Sequence, residues 1–182
     1  HFPPINQGEN RFVHVIVSIL INRITWDTPK GTEVDLYLRQ DWPDTRLAFG
    51  NLEPSVAEYV IPQDDTEIWV PDTTITTGRE RDVESKRERV VIEKEGHVRS
   101  SQEREIIITP VTVSSSPFWS TRSINLQLTS YKYQIDQLVY TWANNPPKHP
   151  IEVNPTLLGG EIYIYHFTAD HCQGNYTIGT YS

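Results

Sequence analysis

Apolar and polar residues alternate with period two along most of the chain, the signature of strands with one buried face. In Val13–Asn22 the odd positions are all apolar, and from Glu33 to Arg39 the residues Val34, Leu36 and Leu38 oppose Glu33, Asp35, Tyr37 and Arg39. Ile124, Leu126 and Leu128 oppose Asn125, Gln127, Thr129 and Tyr131, and Ile162–Phe167 alternates in the same way. Val90–Ile92 and Ile106–Ile108 are short continuous apolar runs, suited to strands covered on both sides. Turn signals separate these runs: Thr28-Pro29-Lys30-Gly31, Trp42-Pro43-Asp44, Glu53-Pro54-Ser55, Val70-Pro71-Asp72, Glu95-Gly96, Asn144 to Pro150 and Asn154-Pro155. No long apolar stripe recurs at helical spacing. Asp82–Arg89 is compatible with one or two helical turns but has no apolar face to dock. The pattern predicts an all-β protein, a twisted antiparallel β-sandwich of the immunoglobulin-like kind, as one domain over residues 1–182.

Composition narrows this further. The 182 residues contain one Cys and no Met, so the chain reads as processed or trimmed, without an internal disulfide. No apolar run is long enough to span a bilayer and no leader-like segment is present. Sixteen basic residues face 24 acidic ones, for a net charge of −8. Residues 79–105 hold eight of each sign, so the remainder carries the whole deficit, which argues against nucleic acid as a partner. The interleaved signs of that segment fit a solvated, ion-paired surface better than a basic docking site.

Signatures of enzymes are missing: there is no phosphate-cradling glycine loop, no Gly-x-Ser-x-Gly elbow and no His-Glu-x-x-His. Ser114–Ser116 before a proline suits a polar turn, and Asp64-Asp65 suits a cap. His166, Asp170, His171 and Cys172 carry metal-binding chemistry, but a strand end gives them no reason to converge, so no metal or cofactor is expected. Tyr37, Tyr131, Tyr176 and Tyr181 lie on or beside strands. Each alone suits sheet packing, whereas several together with an Arg could form a box for a small cationic or zwitterionic ligand.

Four motifs, in order, resemble the pentameric ligand-gated ion channels, the Cys-loop receptors. Val34 to Leu47 (VDLYLRQDWPDTRL) is similar to the family's second strand, and Trp69-Val70-Pro71-Asp72 to its Trp-x-Pro-Asp motif. Ser130-Tyr131-Lys132-Tyr133 running on to Trp142 is similar to the strand after its Cys-loop. Cys172 to Ser182 is similar to the loop C hairpin of the glycine, GABA and glutamate receptors. The resemblance implies an extracellular β-sandwich that assembles as a ring of five and binds a small molecule, amino-acid-like or another small organic compound, between neighbours. Carried over by position, Tyr131 is the loop B aromatic and Tyr176 and Tyr181 are the loop C aromatics. From the adjoining subunit come Tyr37, Arg39 for a ligand carboxylate, and Ser101 near the loop E position.

Departures from the family pattern are specific. Thr73–Thr77 offers no aromatic where loop A has one, and Thr129 replaces the acid that amine-binding members often place before the loop B aromatic. Ser116 and about Ile124 stand where the naming cysteines belong, with a short segment, 117–123, between them. Cys172 lacks its usual partner beyond Tyr181, which implies truncation before the last strand and without the transmembrane part. Asn175-Tyr176-Thr177 is an N-glycosylation sequon. The expected function is therefore that of a channel ectodomain at the extracellular face of the plasma membrane. A secreted pentameric binding protein resembling the acetylcholine-binding proteins is the second reading. An unrelated β-sandwich adhesion or carbohydrate-binding module is the third.

Overall fold

The structure is a computed structural model that describes residues 2–4, 12–50, 58–63, 66–81 and 87–172. Among them run strands β1 (Val13–Thr28), β2 (Gly31–Pro43), β3 (Tyr59–Val60), β4 (Thr73–Ile75), β5 (Arg79–Glu80) and β6 (Glu88–Glu93). They continue with β7 (His97–Ile108), β8 (Val111–Ser115), β9 (Ser120–Ser123), β10 (Leu128–Ser130), β11 (Leu138–Trp142) and β12 (Ile151–Val153). Short 3₁₀ turns occur at Thr45–Leu47 and Pro155–Leu158. The described residues are thus built from strands, as the alternation predicts.

One large sheet carries the order β11-β1-β2-β7-β6-β3, with β12 also on β1 and β5 also on β7. β1–β2, β2–β7 and β6–β7 are antiparallel, but β11 and β12 run parallel to β1, so the sheet is mixed rather than purely antiparallel. β4–β10 forms the opposing layer and β8–β9 a separate hairpin.

The inward face of the large sheet follows directly from the sequence. Val13, Val15, Val17 and Ile19 of β1 and Val34, Leu36, Leu38 and Trp42 of β2 are buried, with Val98, Ile106 and Ile108 of β7 beside them. Ile107 points the other way and is still nearly covered, with Arg79 of β5 opposite it, so the Ile106–Ile108 run is buried on both faces as expected. Near Asn22 a bulge shifts the β1–β2 register between Ile21 and Arg23. The inward set then changes from odd positions to even ones, so that Ile21 and Ile24 both pack on the core.

Trp69 locks the two layers together. Its ring meets Trp42 edge-on, with centroids 5.8 Å apart at 86°, and leans on Tyr133 at 6.0 Å. Its Nε1–H donates to Tyr133 Oη at 3.2 Å. At the far end of β2, the buried Asp44 takes Arg46 Nε at 2.8 Å and a second guanidinium nitrogen at 2.7 Å, while its own N–H donates to Gly96 O at 2.7 Å. Gly96 turns at φ +82°, and a Cβ there would lie 2.4 Å from Asp44 O, so the β6–β7 turn requires glycine twice over.

Two expectations are corrected. Ile162–Phe167 forms no strand, and Ile162, Tyr163, Tyr165 and Phe167 are exposed. Alternation prepares a face, but a strand also needs a neighbour to take its backbone groups, and among the described residues this segment has no ladder. The end of the suggested helical stretch Asp82–Arg89 belongs to β6, which pairs with β7 from Glu88 onward; 82–86 lie outside the described residues.

Candidate functional site

Strand register brings three of the expected site residues onto one face. The outward side of β2 presents Asp35, Tyr37, Arg39 and Asp41, alternating with the buried core positions. Residues directly opposite on neighbouring strands share a face, and Arg39 stands opposite Ser18 of β1 and Ser101 of β7. Tyr37, one step along, stands between Leu20 and Glu103. Tyr37, Arg39 and Ser101 are each half-buried.

Arg39 and Ser101 line a shallow concavity of about 480 Å³, whose other walls include Asp41, Tyr59, Arg89, Arg99, Lys148 and Glu152. Ion pairs cross it. Arg39 donates to Glu152 Oε2 at 3.1 Å, Lys148 pairs with Asp41, and Arg99 with Glu93. The side chains of Arg39 and Glu152 are 41% and 37% exposed, so their attraction is worth only about 0.2–1 kcal/mol. A carboxylate arriving from outside can therefore compete with Glu152 for the guanidinium.

Tyr131 lies elsewhere, just past β10 in the opposing layer, with 85% of its surface exposed. Its backbone is held by Asp72, which accepts from Ser130 Oγ at 2.5 Å and from the Lys132 N–H at 2.6 Å; Tyr133 N–H adds a bond to Ser130 Oγ at 2.9 Å. The Trp-Val-Pro-Asp motif thereby divides its labour: Trp69 fastens the core and Asp72 shapes the loop that presents Tyr131. Tyr176, Tyr181 and the sequon at Asn175 lie outside the described residues.

Where loop A lacks an aromatic, Thr73 is drawn inward. Its hydroxyl donates to Gln40 Oε1 and meets Tyr140 Oη at 2.8 Å, beneath a Thr73 side chain only 2% exposed. Burial pushes the Tyr140 phenol up to about 12, with the Asp72 charge adding to it and the Thr73 bond opposing it. The position serves the core here and leaves the outer surface to other residues.

The hairpin at the expected Cys-loop position is closed without sulfur. Ser116 N–H donates to Trp119 O at 2.8 Å, and Ser116 Oγ accepts from the backbone N–H groups of Phe118 at 3.3 Å and Trp119 at 3.2 Å. Arg122 ties the hairpin to the end of β1 through Asp27 at 2.6 Å. Among the described residues no three His, Cys, Asp or Glu side chains gather as a metal site, and no helix is long and apolar enough to cross a membrane.

The profile of the neurotransmitter-gated ion-channel ligand binding domain matches residues 1–177. The chain belongs to this family. The ligand-binding domain is also similar to the glycine receptor subunit beta of rat, mouse and human, at 28% identity over 142 residues in each case. That similarity covers 74% of this chain and 28% of each relative, so the domain spans little more than a quarter of their length.

Sequence reasoning missed Arg89, Lys148 and Glu152. All three reach the concavity through strand pairings or loops far apart in the chain, and no local pattern announces them. Arg89 is one of the interleaved charges of residues 79–105, and its alignment with Ser101 needed the β6–β7 register.

Proposed function

We propose that this ligand-binding domain is the extracellular part of a pentameric channel subunit, and that it takes a small, amino-acid-like ligand between adjacent subunits. Tyr37, Arg39 and Ser101 form the face offered by one subunit, and Tyr131, with Tyr176 and Tyr181, the face offered by the next. The observation that carries this reading is the division of the site. The cationic face lies on the large sheet, while Tyr131 stands exposed on the opposing layer. Arg39 would hold the ligand carboxylate in place of Glu152, and the tyrosines would surround its ammonium group. Closure of loop C over the ligand would favour the open assembly, a population shift transmitted to the pore.

The test is a thermal-shift and calorimetric ligand screen on the assembled protein, with sedimentation to establish five-fold assembly. Arg39→Ala and Tyr131→Ala should each weaken a carboxylate-bearing ligand by about tenfold or more. Monomers only, or ligands whose affinity neither substitution changes, would overturn the interfacial site.

A further inference from the structure

Arg39, Ser101 and Arg89 stand opposite one another in a single row across β2, β7 and β6. Residues in such a row project from the same face, and neighbouring strands are about 4.8 Å apart. The two arginine α-carbons are therefore separated by roughly 10 Å, with the Ser101 hydroxyl between them. All three line the same concavity.

Their charges are balanced differently. Around this concavity Arg39 is matched by Glu152, Lys148 by Asp41 and Arg99 by Glu93. Arg89 is exposed and has no ion-pair partner among the described residues. The lining thus holds one cation in excess, at the opposite end of the row from the guanidinium expected to meet a ligand carboxylate. A ligand with a single anionic group would engage Arg39 and leave Arg89 unanswered. One with two anionic groups would satisfy both, with Ser101 free to donate to either.

Taking Tyr37, Arg39 and Ser101 as a ligand face as proposed above, we infer that Arg89 makes this site selective for small molecules carrying two anionic groups, such as short diacids. One group displaces Glu152 from Arg39; the other lies on Arg89. Glu152 then acts as a built-in competitor that raises the affinity a ligand must have to occupy Arg39.

Isothermal titration of the assembled full-length protein with succinate, glutarate and butyrate tests this. The diacids should bind about tenfold more tightly than butyrate, the ratio expected of one additional charge-assisted contact at an open site. Arg89→Gln should bring the ratio to about one, Arg89→Lys should restore part of it, and Glu152→Gln should tighten all three. Higher salt should weaken the diacids more steeply than butyrate. Butyrate and diacids binding equally, or a ratio that survives Arg89→Gln, would overturn the role of Arg89 while Arg39→Gln still weakens every ligand. If Arg39→Gln changes none of them, or none binds, the ligand face fails and the selectivity with it.

Discussion

Thr73 shows how one side chain decides between core and surface. A threonine can face solvent at little cost, yet here its hydroxyl bridges Gln40 and Tyr140 inside the sandwich. Gln40 is fully buried among apolar neighbours on β2, and such a group is costly unless its oxygen finds a donor. Tyr140 closes the chain of bonds and is itself kept protonated by burial. Its folded pKa, about 12, lies above the unfolded value of 10, so the folded state holds the phenolic proton more tightly. That contribution is complete below pH 10 and is lost as the pH rises from 10 towards 12. Urea unfolding midpoints should therefore fall across this window, and should fall less in Tyr140→Phe. Parallel slopes for the two proteins would show that another group governs the alkaline loss.

Among the elements, β2 and the first part of β1 were readable from alternation alone, because one face of each meets a continuous core and the other meets solvent. The run Ile106–Ile108 was readable too, since covering both faces leaves no polar position. Three features were not. The bulge at Asn22 inverts the alternation of β1 midway, and an inversion in sequence looks like the end of a strand. Ile162–Phe167 carries the pattern without a ladder. The row Arg39–Ser101–Arg89 depends on register between strands, which is set by turns and packing and not by the local period. Of the expected site, Tyr37 and Arg39 were legible as one face because they are two residues apart on one strand. The neighbourhood of Glu152 was not, since β12 reaches β1 only through the tertiary fold. The loop carrying Tyr131 gives a prediction at this scale. Asp72→Ala leaves Ser130 Oγ and the Lys132 N–H without their acceptor and should cost about 1–3 kcal/mol. For a chain of this size that is a fall of roughly 2–12 °C in Tm by calorimetry. Asp72→Asn, which keeps one acceptor oxygen, should lose less. An unchanged Tm in Asp72→Ala would mean that the loop does not depend on this carboxylate.

At the scale of the molecule, the family and the β-sandwich were accessible from four short motifs, while the arrangement of charge on the large sheet was not. The motifs record local demands: Trp69 for the core, Asp72 and Asp44 for two loop corners. The charged face arises only when segments from β1 through β12 are laid side by side. The parallel pairing of β1 with β11 and β12 has a further consequence, for the birth of the protein. Val13 is paired opposite Leu138 and Ile19 opposite Ile151, so the first long strand finds its outer neighbours only after most of the chain has been made. Until then one edge of β1 is an open template on a nascent polypeptide, a hazard for association with other chains. Connections this distant slow the search for the native state, and refolding from urea should take milliseconds to seconds, with yield falling as protein concentration rises. Stopped-flow tryptophan fluorescence across a concentration series would measure both; microsecond refolding at constant yield would mean that β1 and its late partners do not limit folding. A chaperone that shields an exposed strand edge during synthesis would then have its clearest target in residues 13–21.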